Sequence, residues 1–360
     1  MGEQVPQPDP RTIRILAIDG GGIRGILPAR VLQEIEARTG KPIADMFHLI
    51  AGTSTGGIIG CGLYAGLRPK ALGDLYATRG STIFPHTLWQ TVTTLGNISG
   101  PKYPAQALER MLAQTLGDAW LSGTVVDAEL LVPSYCIQLP NAVPVDGGVM
   151  STRMPYLFKS WKARGTLPDP GDKATALDFR LRDVARATSA APTYFPPAQI
   201  QNHDGDPYWM ADGGLFANNP AMAALTSARR IYPDAARFLL VSLGTGERER
   251  AIDGPTAAGW GELGWLHPVL SILMDGNADT VCYEADQELA DDHRRFDASL
   301  GNDPTLPWTV HEDFDDATPD NIARIEALAQ KLIADKAGAL TTLCDELRLP
   351  KWKIGPHRPE

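Results

Sequence analysis

Cysteine is scarce. The four residues Cys61, Cys136, Cys282 and Cys344 stand far apart in 360, and none forms a C-x-x-C pair. A zinc site or a redox motif is left without support, and free thiols in a reducing cytosol are expected. Basic charge is also short, with 33 Lys and Arg against 43 Asp and Glu and a net charge of −10. General binding to nucleic acid is therefore not expected, because phosphate contacts need a basic face. No stretch approaches 18 uninterrupted apolar residues, so no membrane-spanning helix is expected. The start, Met1-Gly2-Glu3-Gln4-Val5-Pro6, lacks a basic region followed by an apolar one, and Pro6 breaks the myristoylation pattern. A cytoplasmic protein is the expectation.

Glycine and proline are plentiful instead. There are 35 and 29 of them, well above average usage. Apolar residues at 43% and charged residues at 21% otherwise describe an ordinary globular chain, long enough for a sizeable core. Those glycines either fill loops or stand where chemistry needs bare backbone.

Residues 1–12 are polar and Pro-rich and read as a flexible arm. Residues 13–18 form an apolar run of buried-strand length, punctuated by Arg14 and ending at Asp19-Gly20-Gly21-Gly22. Beyond Gly25 the period changes. Leu27, Val31 and Ile35 recur at helical spacing until Gly40 supplies a stop. A second strand at residues 47–51 runs into Gly52-Thr53-Ser54-Thr55-Gly56, and a second helix follows over residues 58–64. Strand, glycine turn and helix, repeated once, imply an α/β fold with a parallel sheet and helices on its faces. Further expected elements are a strand over residues 130–138 broken by Pro133, a helix over 181–188, a strand over 238–243 and a helical tail over 319–347. Residues 81–104 and 140–175 read as insertions in a single domain spanning 13–350.

The first turn, Gly20-Gly21-Gly22-Ile23-Arg24-Gly25, fits G-x-G-x-x-G. A dinucleotide site would also need an acidic residue at the end of the second strand to hold a ribose. That strand ends in Gly52-Thr53-Ser54, which disfavours this reading. Backbone N–H groups at such a turn can instead hold an anion, including the oxyanion of an acyl-transfer transition state.

The second turn, Gly52-Thr53-Ser54-Thr55-Gly56, is G-x-S-x-G between a strand and a helix. Its glycines let strand and helix approach closely, and the serine hydroxyl is presented above the sheet. An ordinary Gly/Ser turn is the alternative, and the strand–turn–helix context favours a nucleophile. A serine needs a base. None of the seven histidines stands in a patterned context. Asp212, in Met210-Ala211-Asp212-Gly213-Gly214, follows the strand-like Tyr208-Trp209 and can accept the proton directly. Asp146, in Asp146-Gly147-Gly148, is a rival inside a Pro/Gly-rich connection where nothing fixes its position.

Taken together, Asp19-Gly20-Gly21-Gly22-Ile23-Arg24-Gly25, Gly52-Thr53-Ser54-Thr55-Gly56-Gly57 and Asp212-Gly213-Gly214 resemble the patatin-like phospholipases. The segments Ala187-Thr188-Ser189-Ala190-Ala191-Pro192, Asn218-Asn219-Pro220 and Ser242-Leu243-Gly244-Thr245-Gly246 extend the resemblance over roughly residues 13–246. It implies a three-layer α/β/α fold with a mainly parallel sheet. It also implies a dyad of Ser54 and Asp212, which decides against Asp146. The oxyanion hole would come from Gly20, Gly21 and Gly22, with Arg24, Gly25, Gly52, Gly56, Gly213 and Gly214 as supporting motif positions. Arg24 is left between bracing the loop and meeting a headgroup phosphate. No metal or cofactor is implied for catalysis.

The substrate implied is a fatty-acyl ester of membrane phospholipid, reached by peripheral contact at the inner face of the membrane. The apolar run over residues 260–274 reads first as a buried helix, since most apolar stripes are core, and is otherwise the best candidate for an interfacial or lid element. Phe84, Leu88 and Trp89 form a weaker one. Length and layout also resemble the phospholipase effectors of bacterial cyclic-nucleotide anti-phage (CBASS) systems, which implies a cyclic dinucleotide activator. No nucleotide-binding motif accompanies that likeness, and homo-oligomerisation is left open. A non-catalytic lipid- or nucleotide-binding protein has no need of both Ser54 and Asp212. An acyltransferase would usually need a placed histidine.

Overall fold

The computed structural model describes residues 11–85, 100–123, 125–140, 143–145, 148–150, 153–169, 171–247, 251–301 and 305–353. Strand β1 (Thr12–Ile18) is buried along its whole length, and its side chains alternate between two cores. Leu16 and Ile18 face one layer of helices, while Ile13, Ile15 and Ala17 face the other. A strand buried on both faces reads as a near-continuous apolar run, as residues 13–18 do.

In chain order the main elements are α1 (Ile26–Thr39), β2 (Leu49–Gly52), α2 (Thr55–Tyr64), α3 (Pro69–Ile83), α4 (Gln106–Leu116), β3 (Glu129–Gln138) and β4 (Met154–Lys159). There follow α5 (Leu181–Thr188), β5 (Ala198–Gln201), β6 (Pro207–Asp212), α6 (Ala221–Ile231), β7 (Arg237–Leu243), α7 (Glu262–Leu289), β8 (His293–Phe296), α8 (Pro319–Asp335) and α9 (Ala337–Arg348). Helices α1, α2, α3, α8 and α9 cover one face of the sheet through Leu27, Ile59, Leu72, Leu328 and Leu343. Helices α6 and α7 cover the other through Leu225, Ala228, Val281 and Ala285. The expected three-layer α/β/α arrangement is present.

Strands β8, β7, β1, β2 and β3 lie side by side and parallel, whereas β4 and β6 join β3 antiparallel and β5 joins β6. The register on β3 shows how they fit. Leu131 lies opposite Ala51 of β2 and Lys159 of β4, and Ser134 lies opposite Asp212 of β6 and Tyr156 of β4. A residue in a sheet has one neighbour on each side, and β4 runs without interruption along one edge of β3. Strands β2 and β6 therefore share the other edge and meet end to end, with their C-termini facing. Pro133 falls in the gap between them. The strand expected to break at Pro133 runs straight through it, because no strand opposes Pro133 on that edge and its missing N–H costs no ladder bond.

One other expectation is corrected and one is resolved further. The connection over residues 140–175 contains strand β4, which the exposed Pro155 concealed; proline is tolerated at a sheet edge. The tail is two helices, divided at Lys336. Arg14, the interruption in the first apolar run, donates to the carbonyls of Glu346, Leu347 and Leu349 at 3.0–3.3 Å and so caps the end of α9. Asp146, Leu88 and Trp89 lie outside the described residues.

Candidate active site

Strand β2 delivers the chain to Thr53 and Ser54, and α2 begins at Thr55. Ser54 has φ 52° and ψ −118°. This backbone region costs a residue with a Cβ about 1–3 kcal/mol, and the surrounding bonds hold it there. Thr53 donates its hydroxyl to the Ala217 carbonyl at 2.6 Å. The Ser54 N–H donates to Thr188 Oγ1 at 2.9 Å, and the Thr188 hydroxyl donates to the Pro133 carbonyl at 2.6 Å. Thr188 thus plugs the gap between β2 and β6. The flanking glycines are required by contact. A Cβ on Gly52 would sit 2.0 Å from the Gly56 carbonyl oxygen, and one on Gly56 would sit 2.2 Å from that of Ile18.

Asp212 is the last residue of β6. Because β6 meets β2 end to end, its carboxylate arrives beside Ser54, whose hydroxyl donates to Asp212 Oδ2 at 2.8 Å. The other oxygen, Oδ1, accepts the Gly214 N–H at 2.7 Å. Asp212 is only 2% exposed and Ser54 8%. Burial pushes the Asp212 carboxyl up to about 7, against the Gly214 N–H, the Ser54 hydroxyl and the charge of Arg186, which all favour its ionised form. A carboxylate with that value takes up a proton readily near neutral pH. Gly213 packs against the Pro133 backbone, which continues the close fit across the gap.

The turn at residues 20–22 lies beside the dyad, and a Cβ on Gly20 would be 3.3 Å from Ser54 Cβ. The Gly20 N–H is already committed to the Asn218 carbonyl at 3.0 Å. Gly21 and Gly22 have no acceptor for their N–H groups among the described residues, which narrows the expected anion hole from three donors to two. Gly22 has φ +59°, and a Cβ there would lie 2.1 Å from the Phe314 carbonyl oxygen. A short helical turn, Gly22–Gly25, leads into α1, and Gly25 packs on Thr55. Arg24 is 3% exposed. It donates to the carbonyls of Gly21 at 3.3 Å and Gly246 at 3.2 Å, so it braces the loop.

Ser54 and Asp212 open into a cleft of about 610 Å³, counting the space at its mouth that is open to solvent. Its walls are mainly apolar, with Ile58 from α2, Ile83 from α3, Leu108 and Met111 from α4, Phe195, and Met274 from α7. Such a space suits a hydrocarbon chain. Among the described residues no histidine lines it, and His48 is instead held between the Arg14 N–H at 2.9 Å and the Trp352 carbonyl at 3.1 Å. Among the described residues no group of three or more His, Cys, Asp or Glu side chains is arranged to hold a metal.

The model of the patatin-like phospholipase family matches residues 16–225, more than half of the chain. The chain belongs to the patatin-like phospholipase family. It is 29% identical to Patatin-like protein 1 of Arabidopsis thaliana over 90% of this chain and 82% of that protein. It is 32% identical to Patatin-like protein 2 of the same plant over 75% of this chain and 70% of that protein. Among solved structures, human GIVD cytosolic phospholipase A2 aligns with 11% identity and a TM-score of 0.47, over 96% of this chain and 61% of that one.

In this patatin-like chain several contributors to the site carried no signal in the motifs. Thr188 stood in a resembling segment with no role attached. Met274 and Phe314 come from beyond the matched residues, and the Phe314 carbonyl takes the Ile23 N–H at 2.8 Å. Asn218 holds Gly20 by its backbone, while its side-chain Oδ1 is buried without a partner among the described residues. The run over 260–274 corrects the expectation of a buried helix. Trp265, Val269, Ile272 and Leu273 are 38–48% exposed, while Leu270 and Met274 turn inward. Positions 265, 269, 272 and 273 follow helical spacing, so they form one exposed apolar stripe on α7.

Proposed function

We propose that this chain is a serine lipid acyl hydrolase of phospholipase A type. The observation that carries the reading is the 2.8 Å bond from Ser54 Oγ to Asp212 at an apolar cleft. Asp212 takes the Ser54 proton as Oγ attacks the ester carbonyl carbon. The N–H groups of Gly21 and Gly22 receive the oxyanion, and each such donor is typically worth about 3 kcal/mol. The tetrahedral intermediate expels the glyceryl oxygen, which leaves with the proton from Asp212. Water then gives a proton to Asp212 and attacks the acyl-enzyme, and Ser54 recovers its proton as the fatty acid departs.

Membrane phospholipid is the substrate of this proposal, reached by peripheral contact at the inner face of the membrane. Among the described residues no helix is long and apolar enough to cross a bilayer. The exposed stripe on α7 supports the contact, since the same helix lines the cleft with Met274. Activation by a cyclic dinucleotide in anti-phage defence is a further part of the proposal, supported by the length and layout of the chain alone.

The deciding measurement is fatty-acid release from phosphatidylcholine vesicles, with and without a panel of cyclic dinucleotides. Ser54→Ala and Asp212→Ala are each expected to lose about 10³-fold or more. Wild-type rates in either variant would overturn the dyad, and full activity without nucleotide would overturn the gate.

A further inference from the structure

Register places Ala17, Ser242 and Arg295 in one row across β1, β7 and β8. Arg295 reaches back along that row. Its Nη1 donates to Ser242 Oγ at 2.8 Å, and its Nη2 donates to Asp19 Oδ2 at 2.7 Å and Asp297 Oδ2 at 2.5 Å. Asp297 uses its other oxygen to accept the N–H groups of Gly246 and Ala298, both at 2.9 Å. The loop at 244–246 then holds the anion turn. Thr245 donates its hydroxyl to the Gly20 carbonyl at 2.7 Å, and Arg24 ties the Gly246 and Gly21 carbonyls together. Asp19 immediately precedes Gly20. The turn that presents the Gly21 and Gly22 N–H groups is therefore gripped twice, directly through Asp19 and indirectly through Asp297, and both grips converge on one guanidinium.

The cluster is under-satisfied. Asp19 Oδ1 and Arg295 Nε are both buried without a partner among the described residues. Asp19 is thus held on one oxygen only, and that contact is an ion pair only while Asp19 is ionised. Burial pushes the Asp19 carboxyl up to about 6, with Arg295 opposing and Asp297 reinforcing the shift. Those two are the charged groups that face it. Cys282 on α7 feels the same charges, and burial pushes its thiol up to about 11, so it stays neutral.

We infer that Arg295, which lies outside the family-matched residues, is a positioning residue for the oxyanion turn, and that protonation of Asp19 loosens its hold. This rests on the proposed acyl-hydrolase reading. If that reading is wrong, the wild-type chain shows no Ser54-dependent ester hydrolysis, a result distinct from those below.

The test is the pH profile of kcat on a soluble short-chain ester with the full chain. Asp212 alone predicts a slope of one in log kcat on the acid side. A second proton at Asp19 predicts an acid limb visibly steeper than one in wild type around pH 5–6, and a slope of one throughout in Asp19→Asn. At about pH 8, Arg295→Met and Asp19→Asn are each expected to lose about tenfold or more in kcat with KM within about twofold, and Arg295→Lys to recover part of the loss. A folded Arg295→Met with wild-type kcat overturns the inference, as does an unchanged acid slope in Asp19→Asn. If Arg295→Met fails to fold, the isosteric Asp19→Asn decides alone.

Discussion

The Ser54 hydroxyl and the Asp212 carboxylate are joined by a 2.8 Å hydrogen bond across 158 positions of sequence. The bond exists because β2 and β6 end against each other on one edge of β3, with Thr188 seated in the gap. Neither residue reaches the other by a long flexible side chain. Both are delivered by strand ends, which fixes the geometry before any substrate arrives.

The buried carboxylate sets the pH response. Asp212 must be ionised to accept a proton, and burial places its transition at about 7. The rate of ester hydrolysis is expected to rise with pH through that value and then level, when kcat/KM is measured from about pH 5 to 9. A rate already level at about pH 5 would contradict the assignment.

The same burial acts on stability. A carboxyl whose native value is raised from 3.8 to about 7 favours the folded chain fully below the unfolded value, and that advantage is lost as pH climbs through 7. The cost above that pH is on the order of 4 kcal/mol. Asp212→Asn removes it while keeping an acceptor for Gly214 and a donor for Ser54. The variant is expected to melt at a higher temperature than wild type near pH 8, with the gap narrowing towards pH 4. A gap that widens on acidification would show the opposite linkage.

Two glycines of the same helix make a matched pair. Gly56→Ala must push into the Ile18 carbonyl, only 2.2 Å from the new carbon, and is expected to destabilise by about 3 kcal/mol. Gly60→Ala finds nothing nearer than Leu130 Cδ1 at 3.5 Å. It is expected to stabilise by about 0.5–1 kcal/mol, because alanine is the better helix former. Urea melts of both variants check the contrast.

The α7 stripe separates binding from chemistry. Ile272→Asp with Leu273→Asp is expected to weaken partition onto phosphatidylcholine vesicles about tenfold or more, roughly 1.4 kcal/mol, and to leave hydrolysis of a soluble ester within about twofold. Vesicle flotation beside a short-chain ester assay distinguishes the two effects. Equal losses in both would assign the stripe to the fold.

Much of this architecture was legible in the residues. The two βα turns announced themselves, because Gly20, Gly21 and Gly22 and the glycines Gly52 and Gly56 mark places with no room for a side chain. Asp212 was legible as a strand end followed by two glycines. The meeting of β2 with β6 was not, since strand pairing is non-local and leaves no local pattern. Pro133 even argued against the strand that organises the site, because a proline rule written for central strands does not foresee a gap in the ladder. Thr188 and Arg295 were illegible for a related reason. Their roles depend on which carbonyl or carboxylate lies across the sheet, and only the register supplies that.

The head-on meeting of β2 and β6 also bears on when during synthesis the chain becomes dangerous to lipid. The nucleophile is translated early, but its base comes only at residue 212, and the guanidinium that steadies the oxyanion turn comes at 295. Until β6 has docked against β3, Ser54 faces an empty edge. On the proposed mechanism, hydrolysis would wait until most of the protein has been made and folded, so the assembled sheet would serve as its own safety catch.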